Sequence, residues 1–194
     1  MIIYLHGFRS APASIKAQAL RRHLASKGLA GEFWCEQLPV SPRDAIALAD
    51  ARIARCLREQ PERPPVLVGS SLGGFYATWL AERHGLAAAL VNPAVVAPLS
   101  LEAWIGEQTN LYTGERFDFT AGHIAELRAL DVPSITRPER YWLLVETGDE
   151  VLDYRDAVAK YAGARHTVLE GGDHGFSRWN AYLDDMIAFA GLAR

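Results

Sequence analysis

Apolar residues in this chain follow two alternating rhythms, short continuous runs and longer stretches repeating every three or four positions. Met1–Leu5 is an apolar run and predicts a first strand. Residues 14–27 place Ile15, Ala19, Leu20 and Leu24 on one helical face, with Gly28 as the stop. Phe33–Leu38 predicts a second short strand. Ser41-Pro42 then supplies a cap and a first-turn proline for a helix with Ile46, Ala49, Ile53 and Leu57 inward. Pro65–Val68 predicts a strand and Leu72–His84 the helix after it. Ala87–Val91 predicts another strand, broken by Asn92-Pro93. Tyr141–Glu146 and His166–Leu169 predict two more, with a helix around Asp156–Tyr161 between them. Trp179–Phe189 closes the pattern as an amphipathic helix. Short apolar strands separated by helices predict an α/β fold, a mostly parallel sheet of about six strands with helices on both faces. Functional loops in such sheets lie beyond the carboxyl ends of the strands.

The rhythm breaks between residues 94 and 140. This stretch carries Trp104, Tyr112, Phe117 and Phe119 but no clear strand, and a connection of that length predicts a modest cap-like insertion. Its aromatics are suited to lining a pocket or to anchoring the cap. There is no internal repeat, low-complexity tract or linker, so residues 1–194 are expected to form one domain. A hydrophobic fraction of 49% suffices for a sizeable core. The net charge of −3 leaves no electrostatic footprint for nucleic acid or an anionic membrane. No apolar run approaches the roughly 18–20 residues that span a bilayer. Met1–Leu5 lacks a charged leader and a cleavage site and reads as a strand. Cys35 and Cys56 have no metal-ligand spacing and read as reduced thiols, so the expectation is a cytoplasmic globule.

Chemistry concentrates where strands end. Val66-Leu67-Val68-Gly69-Ser70-Ser71-Leu72-Gly73-Gly74 places Gly-x-Ser-x-Gly between a predicted strand and a predicted helix, the layout of a nucleophile elbow. A serine in a strained strand-to-helix turn brings the residues two positions either side together, and only small ones fit. Gly69 and Gly73 flank Ser71 in that way. Ser70 has Val68 and Leu72 at those positions and is rejected. A hydroxyl needs a base, and the base needs an orienting group. The α/β-hydrolase order of serine, acid and histidine recurs here at strand ends, with Thr147-Gly148-Asp149 after one strand and Gly171-Gly172-Asp173-His174 after another. All three groups then share one edge of the sheet.

Leu5-His6-Gly7-Phe8-Arg9 directly follows the first strand. A tetrahedral intermediate needs two N–H donors at its oxyanion, each worth roughly 3–4 kcal/mol of barrier by analogy with other hydrolases. The expected donors are the backbone N–H groups of Leu72, after the nucleophile, and Phe8, with Gly7 letting the loop approach. His6 reads as a turn histidine satisfying backbone groups under the site, and Arg9 as a solvated loop residue. His23, His84, His123 and His166 read as surface or satisfied residues. No metal site or cofactor is expected. Gly69 and Gly74 have the outer spacing of a phosphate loop, but Phe75 stands where lysine is needed.

Taken together, the chain resembles the small bacterial esterases of the YqiA-like family of α/β hydrolases. The resemblance is carried by Tyr4–Phe8, Gly69–Leu80, Val91–Ala94, Thr147–Tyr154 and Glu170–His174, and so runs end to end. It implies a compact α/β-hydrolase fold and a cofactor-free serine hydrolase of carboxylic esters or thioesters, working through an acyl-enzyme with Ser71, His174 and Asp149. Asp153, four residues on, reaches the same space if the loop folds back and is the alternative acid; Gly148-Asp149 is similar to the family's acid loop, Asp153 is more like a helix cap, and Asp173 reads as a turn aspartate. The expected substrates are small esters of short to medium acyl groups. Acyl-CoA thioesters, or a non-catalytic binding role for the fold, are the alternatives.

Overall fold

A computed structural model describes residues 1–97 and 101–193. Residues 98–100, within the expected cap, lie outside the described residues. Six strands form one sheet in the order β2-β1-β3-β4-β7-β8, every neighbouring pair parallel. They are β1 (Ile2–Leu5), β2 (Phe33–Trp34), β3 (Val66–Ser70), β4 (Ala88–Val91), β7 (Tyr141–Glu146) and β8 (Arg165–Leu169). In β1, β3, β4 and β7 every residue is buried, because helices cover both faces and leave no side for polar alternation.

The two faces sort the strand residues by parity. Ile2, Tyr4, Val68, Ala89, Val91, Trp142 and Leu144 pack against α1 (Ile15–Ser26) and α6 (Leu183–Phe189). Ile3, Leu5, Leu67, Leu90, Leu143 and Val145 face α2 (Pro42–Glu59), α3 (Leu72–His84), α4 (Ala121–Ala129) and α5 (Tyr154–Lys160). Registers such as Tyr4↔Val68 and Leu5↔Gly69 align the ends of the central strands. The Ser41 hydroxyl caps α2 by accepting from the Asp44 N–H.

Several boundaries differ from those the periodicity predicts. The second strand is two residues long, since the Leu38 N–H donates to His6 Nε2 and not to a neighbouring strand. In α1 the inward stripe is Ala17, Ala19, Leu20 and Leu24, and Ile15 alone of the expected face is exposed, at the first turn. Cys56 takes the buried position in α2 and Leu57 is half-buried. The last helix begins as a 3₁₀ segment, Trp179–Tyr182, before α6. The largest correction lies in the insertion. Where no strand was expected, β5 (Gly106–Thr109) and β6 (Arg116–Phe119) form an antiparallel hairpin, with Gly106 opposite Phe119 and Thr109 opposite Arg116. Gly-Glu-Gln-Thr carries no apolar alternation, and the hairpin draws its packing from a distant ring, Phe8. α4 follows, started by a reciprocal cap between Thr120 and His123.

One buried carboxylate ties the strand ends to the loop after β8. Glu146, the last residue of β7, is 0% exposed. Its carboxylate accepts from the N–H groups of Asp173 at 2.9 Å and Ser177 at 3.2 Å, and from Arg178 Nε at 2.8 Å. Burial alone would raise its pKa, but these donors outweigh it and hold the group below the usual carboxylate range. Asn92, the residue after β4, with φ of 41°, accepts the Glu146 N–H and donates to the carbonyls of Asp173 and His174.

Two outcomes follow from this packing. A Cβ on Gly73 would lie 1.9 Å from the Leu5 carbonyl oxygen, whereas one on Gly31 would meet nothing within 4 Å. Urea unfolding is expected to show Gly73→Ala destabilised by at least about 1–3 kcal/mol and Gly31→Ala nearly unchanged. Glu146→Gln leaves buried donors short of an acceptor and is expected to cost about 1–3 kcal/mol at pH 7. Because the folded-state pKa is depressed, this contribution is present above the unfolded value, about 4.3. It is lost as pH falls through the folded one. The gap between wild type and Glu146→Gln in unfolding free energy should therefore close in acid.

Candidate active site

The serine at position 71 stands between β3 and α3 with φ 55° and ψ −122°, a region that costs a non-glycine residue about 1–3 kcal/mol. Hydrogen bonds hold it there. Its N–H donates to the Val91 carbonyl, and its own carbonyl accepts from Gly74 and Ala94. The turn closes because a Cβ on Gly69 would fall 2.3 Å from the Gly73 oxygen, so the glycine requirement read from sequence matches the packing. Gly7 meets the serine from the other side, where a Cβ would come within 3.1 Å of Ser71 Cβ.

His174 lies 103 residues away in sequence, yet its Nε2 is 3.0 Å from Ser71 Oγ. Its Nδ1 is 2.8 Å and 3.0 Å from the two oxygens of Asp149. With the Nδ1 proton directed at the carboxylate, Nε2 is left to accept from the hydroxyl. Asp149 is 2% exposed in its side chain. Burial pushes its pKa up, but the bond to His174 and the N–H groups of Leu152 and Val151 outweigh this, leaving it below its ordinary value. The structure thus brings Ser71, His174 and Asp149 into one hydrogen-bonded chain. Asp153 stands apart as the cap of α5, accepting from the Arg155 N–H, and Asp173 is exposed. The His174 N–H donates to Glu150 at 3.0 Å.

Phe8 and Leu72 flank the serine. Leu72 opens α3, so its N–H has no carbonyl four residues back within the helix. Phe8 lies in the turn after β1, on a peptide whose orientation is set from below. The ring of His6, 3% exposed, donates from Nδ1 to the Gly7 carbonyl at 3.1 Å, and its Nε2 accepts the Leu38 N–H. In a trans peptide the carbonyl of one residue and the N–H of the next point oppositely. Anchoring the Gly7 oxygen on His6 therefore turns the Phe8 N–H away from His6. Burial lowers the His6 pKa against the opposing effect of the Gly7 bond, which favours the neutral tautomer this arrangement needs.

The hairpin grips the same loop from above. Arg9, at φ 57°, is not a free solvated residue. Its Nε donates to the Thr109 carbonyl, its guanidinium lies 5.2 Å over the Trp104 ring, and its carbonyl accepts the Leu111 N–H. Asn110 Nδ2 donates to the Ser10 carbonyl. The Phe8 ring packs edge-on against Phe117 and Phe119. The insertion's aromatics act both ways: Trp104, Phe117 and Phe119 pack on Phe8 or Arg9, while Phe117 and Tyr112 line cavities. One of about 520 Å³ holds Ser71 and His174, and one of about 250 Å³ holds Leu72 and Tyr76, with Phe8 bordering both.

Glu146, Asn92 and Asn110 escape a reading of sequence alone. A glutamate ending an otherwise apolar strand and the Asn-Pro break after β4 were the available signals; Asn110 had none. Among the described residues, no three His, Cys, Asp or Glu side chains converge to hold a metal ion. No helix among them is long and apolar enough to cross a membrane.

Solved structures with the same fold cover nearly the whole chain. A hydrolase candidate from Agrobacterium vitis S4 superposes with a TM-score of 0.71 at 21% identity, over 97% of this chain and 87% of that one. The esterase domain of a Rhodothermus marinus protein gives 0.65 at 20% identity, over 97% and 85%. A monoacylglycerol lipase from Paleococcus ferrophilus gives 0.65 at 15% identity, over 99% and 94%. At these identities the likeness establishes the α/β-hydrolase fold. The sequence itself matches over residues 1–191 the family described as "Uncharacterised protein family (UPF0227)". This chain therefore belongs to UPF0227, the YqiA-like family its motifs resemble.

Proposed function

We propose that the protein is a serine esterase, cleaving carboxylic esters through a covalent acyl-enzyme. The observation that carries this reading is the hydrogen-bonded run from Ser71 Oγ through His174 to Asp149, at 3.0 Å and 2.8 Å, on a backbone turn held in a strained conformation. The esterase and lipase names among its structural neighbours favour the same chemistry.

In this reading Ser71 Oγ attacks the acyl carbon while its proton passes to His174 Nε2. Asp149, buried and held ionised by its donors, fixes the imidazole orientation and offsets the positive charge that develops. Charge accumulates on the former carbonyl oxygen, where the N–H groups of Phe8 and Leu72 receive it. Each such donor lowers the barrier by about 3–4 kcal/mol where comparable ones have been removed from other hydrolases. Collapse breaks the acyl C–O bond, and the leaving alkoxide takes the proton from His174. Water then repeats the sequence on the acyl-serine: His174 accepts its proton, the hydroxyl attacks, and Ser71 is re-protonated as the carboxylic acid departs. These steps use only the side chains and backbone groups described.

Ser71→Ala is expected to lower kcat on p-nitrophenyl butanoate by at least about 10⁴-fold. Its circular dichroism should match wild type, and labelling by a fluorophosphonate probe should disappear. Undiminished turnover in that variant would overturn the assignment. Asp149→Asn should reduce kcat by about 10⁴-fold with little change in KM, whereas Asp153→Asn should leave kcat within a few-fold. Equal losses at the two positions would contradict the role given to Asp149.

A further inference from the structure

His174 sits in a turn whose peptide groups are held one by one. Asn92 Nδ2 donates to the carbonyls of Asp173 and His174, Glu150 accepts the His174 N–H, and Glu146 accepts those of Asp173 and Ser177. The peptide joining Gly175 to Phe176 is pinned at both ends. Its N–H donates to the Asp173 carbonyl at 3.0 Å, and its carbonyl accepts from Lys16 Nζ at 2.7 Å. Phe176 has φ of 56°, a left-handed conformation that costs a bulky residue about 1–3 kcal/mol unless its surroundings enforce it.

Lys16 reaches this turn from the start of α1, 159 residues earlier. Its own backbone is fixed there, since its carbonyl accepts from Trp179 Nε1 at 3.0 Å. The same residue therefore grips the chain just after His174 with its side chain and the following 3₁₀ segment with its main chain. Among the described residues, the Gly175 carbonyl is the one hydrogen-bond acceptor of Lys16 Nζ. Lys16 is also the one Lys or Arg lining the cavity of about 520 Å³ that contains Ser71 and His174.

The charges around this ammonium are mostly negative. Asp173 and Glu150 line the same cavity, Asp149 and Glu146 act on it from β7 and the loop after it, and the first turn of α1 carries no acidic residue. The other titratable groups on the cavity are Tyr4, His6, Tyr112 and His174 itself. Burial pushes the Lys16 pKa down to about 8, and the pull of Asp173, Asp149 and Glu146 in the other direction only partly offsets it. A charge-assisted hydrogen bond is about twice as strong as a neutral one, so the hold on Gly175 weakens as pH rises through that value.

We propose that Lys16 is a positioning residue for His174: its ammonium fixes the Gly175–Phe176 peptide, keeps the imidazole aligned between Ser71 and Asp149, and loosens that alignment on losing its proton. This rests on the esterase reading above and gives the same site an alkaline control. Lys16 acts through the turn and not on the reacting atoms.

The test follows hydrolysis of p-nitrophenyl butanoate by the full chain from pH 6 to 9.5. Wild-type kcat/KM is expected to fall at least about threefold with a midpoint near 8. Lys16→Met should lower kcat at pH 7 about tenfold, keep KM within about twofold and lack the alkaline fall. Lys16→Arg, which stays protonated throughout this range, should keep kcat within about threefold and also lack the fall. Ethylammonium added to Lys16→Ala checks the same role without a longer side chain, and should raise kcat at least about threefold. Wild-type kcat in Lys16→Met, an alkaline fall surviving in Lys16→Arg, or no recovery by either the arginine or the amine would overturn the inference while Ser71-dependent hydrolysis stood. Hydrolysis persisting in Ser71→Ala would instead remove the esterase reading on which it rests.

Discussion

Everything at the candidate site depends on how closely three stretches of backbone approach one another around Ser71. The Gly69 and Gly73 main chains come together across the turn, Gly73 also abuts the carbonyl of Leu5, and Gly7 lies against the serine itself. A side chain would overlap backbone at Gly69 and Gly73 and crowd the serine at Gly7, so β1, β3 and the start of α3 lock into one rigid unit. The strain in Ser71 persists because the packing around it leaves no relaxed alternative. The short approach also places the turn after β1 beside the serine hydroxyl.

That unit would be of little use without a second constraint on the histidine. The loop carrying His174 is exposed over much of its length, with Phe176 buried against Trp179 and Tyr182 as its apolar anchor. The rest of its position comes chiefly from polar groups at the ends of β4 and β7. Glu146 binds N–H groups of the loop, Asn92 binds its carbonyls, and Asn92 joins the two strands by accepting the Glu146 N–H. A buried carboxylate is costly unless its lone pairs are satisfied, and here the satisfying donors are the loop being positioned. The energetic requirement of Glu146 and the geometric requirement of His174 have the same solution.

The turn after β1 is held from two directions by groups from far apart in the chain. His6 fixes the Gly7 carbonyl from beneath, with its own tautomer set by the Leu38 N–H. The β5–β6 hairpin fixes the carbonyls of Arg9 and Ser10 from above and packs its rings on Phe8. The insertion thereby becomes a brace for the residue proposed to receive oxyanion charge and a wall for both cavities. Its effect on chemistry and its effect on substrate shape are one arrangement, which is why Phe8 borders both spaces.

How much of this was legible beforehand follows from the range of each interaction. The order of strands and helices was, since strands buried on both faces must be continuously apolar and a helix on a sheet must carry a stripe. Ser71, Asp149 and His174 were legible through local rules: small neighbours at an elbow, and titratable groups in glycine-containing loops just beyond apolar runs. The short second strand, the hairpin and the anchors Glu146, Asn92 and Asn110 were not. Leu38 leaves the sheet to satisfy a histidine 32 residues earlier, and Gln108 pairs with Phe117 in a hairpin whose packing partner is Phe8. By itself, the sequence determined which segments are strands, which are helices, and which side chains are chemically able to react, because those depend on neighbours along the chain. The tertiary structure decided how far apart those side chains stand, what holds them and what shape of molecule they face, because hydrogen bonds and ring contacts between distant residues have no signature in local order.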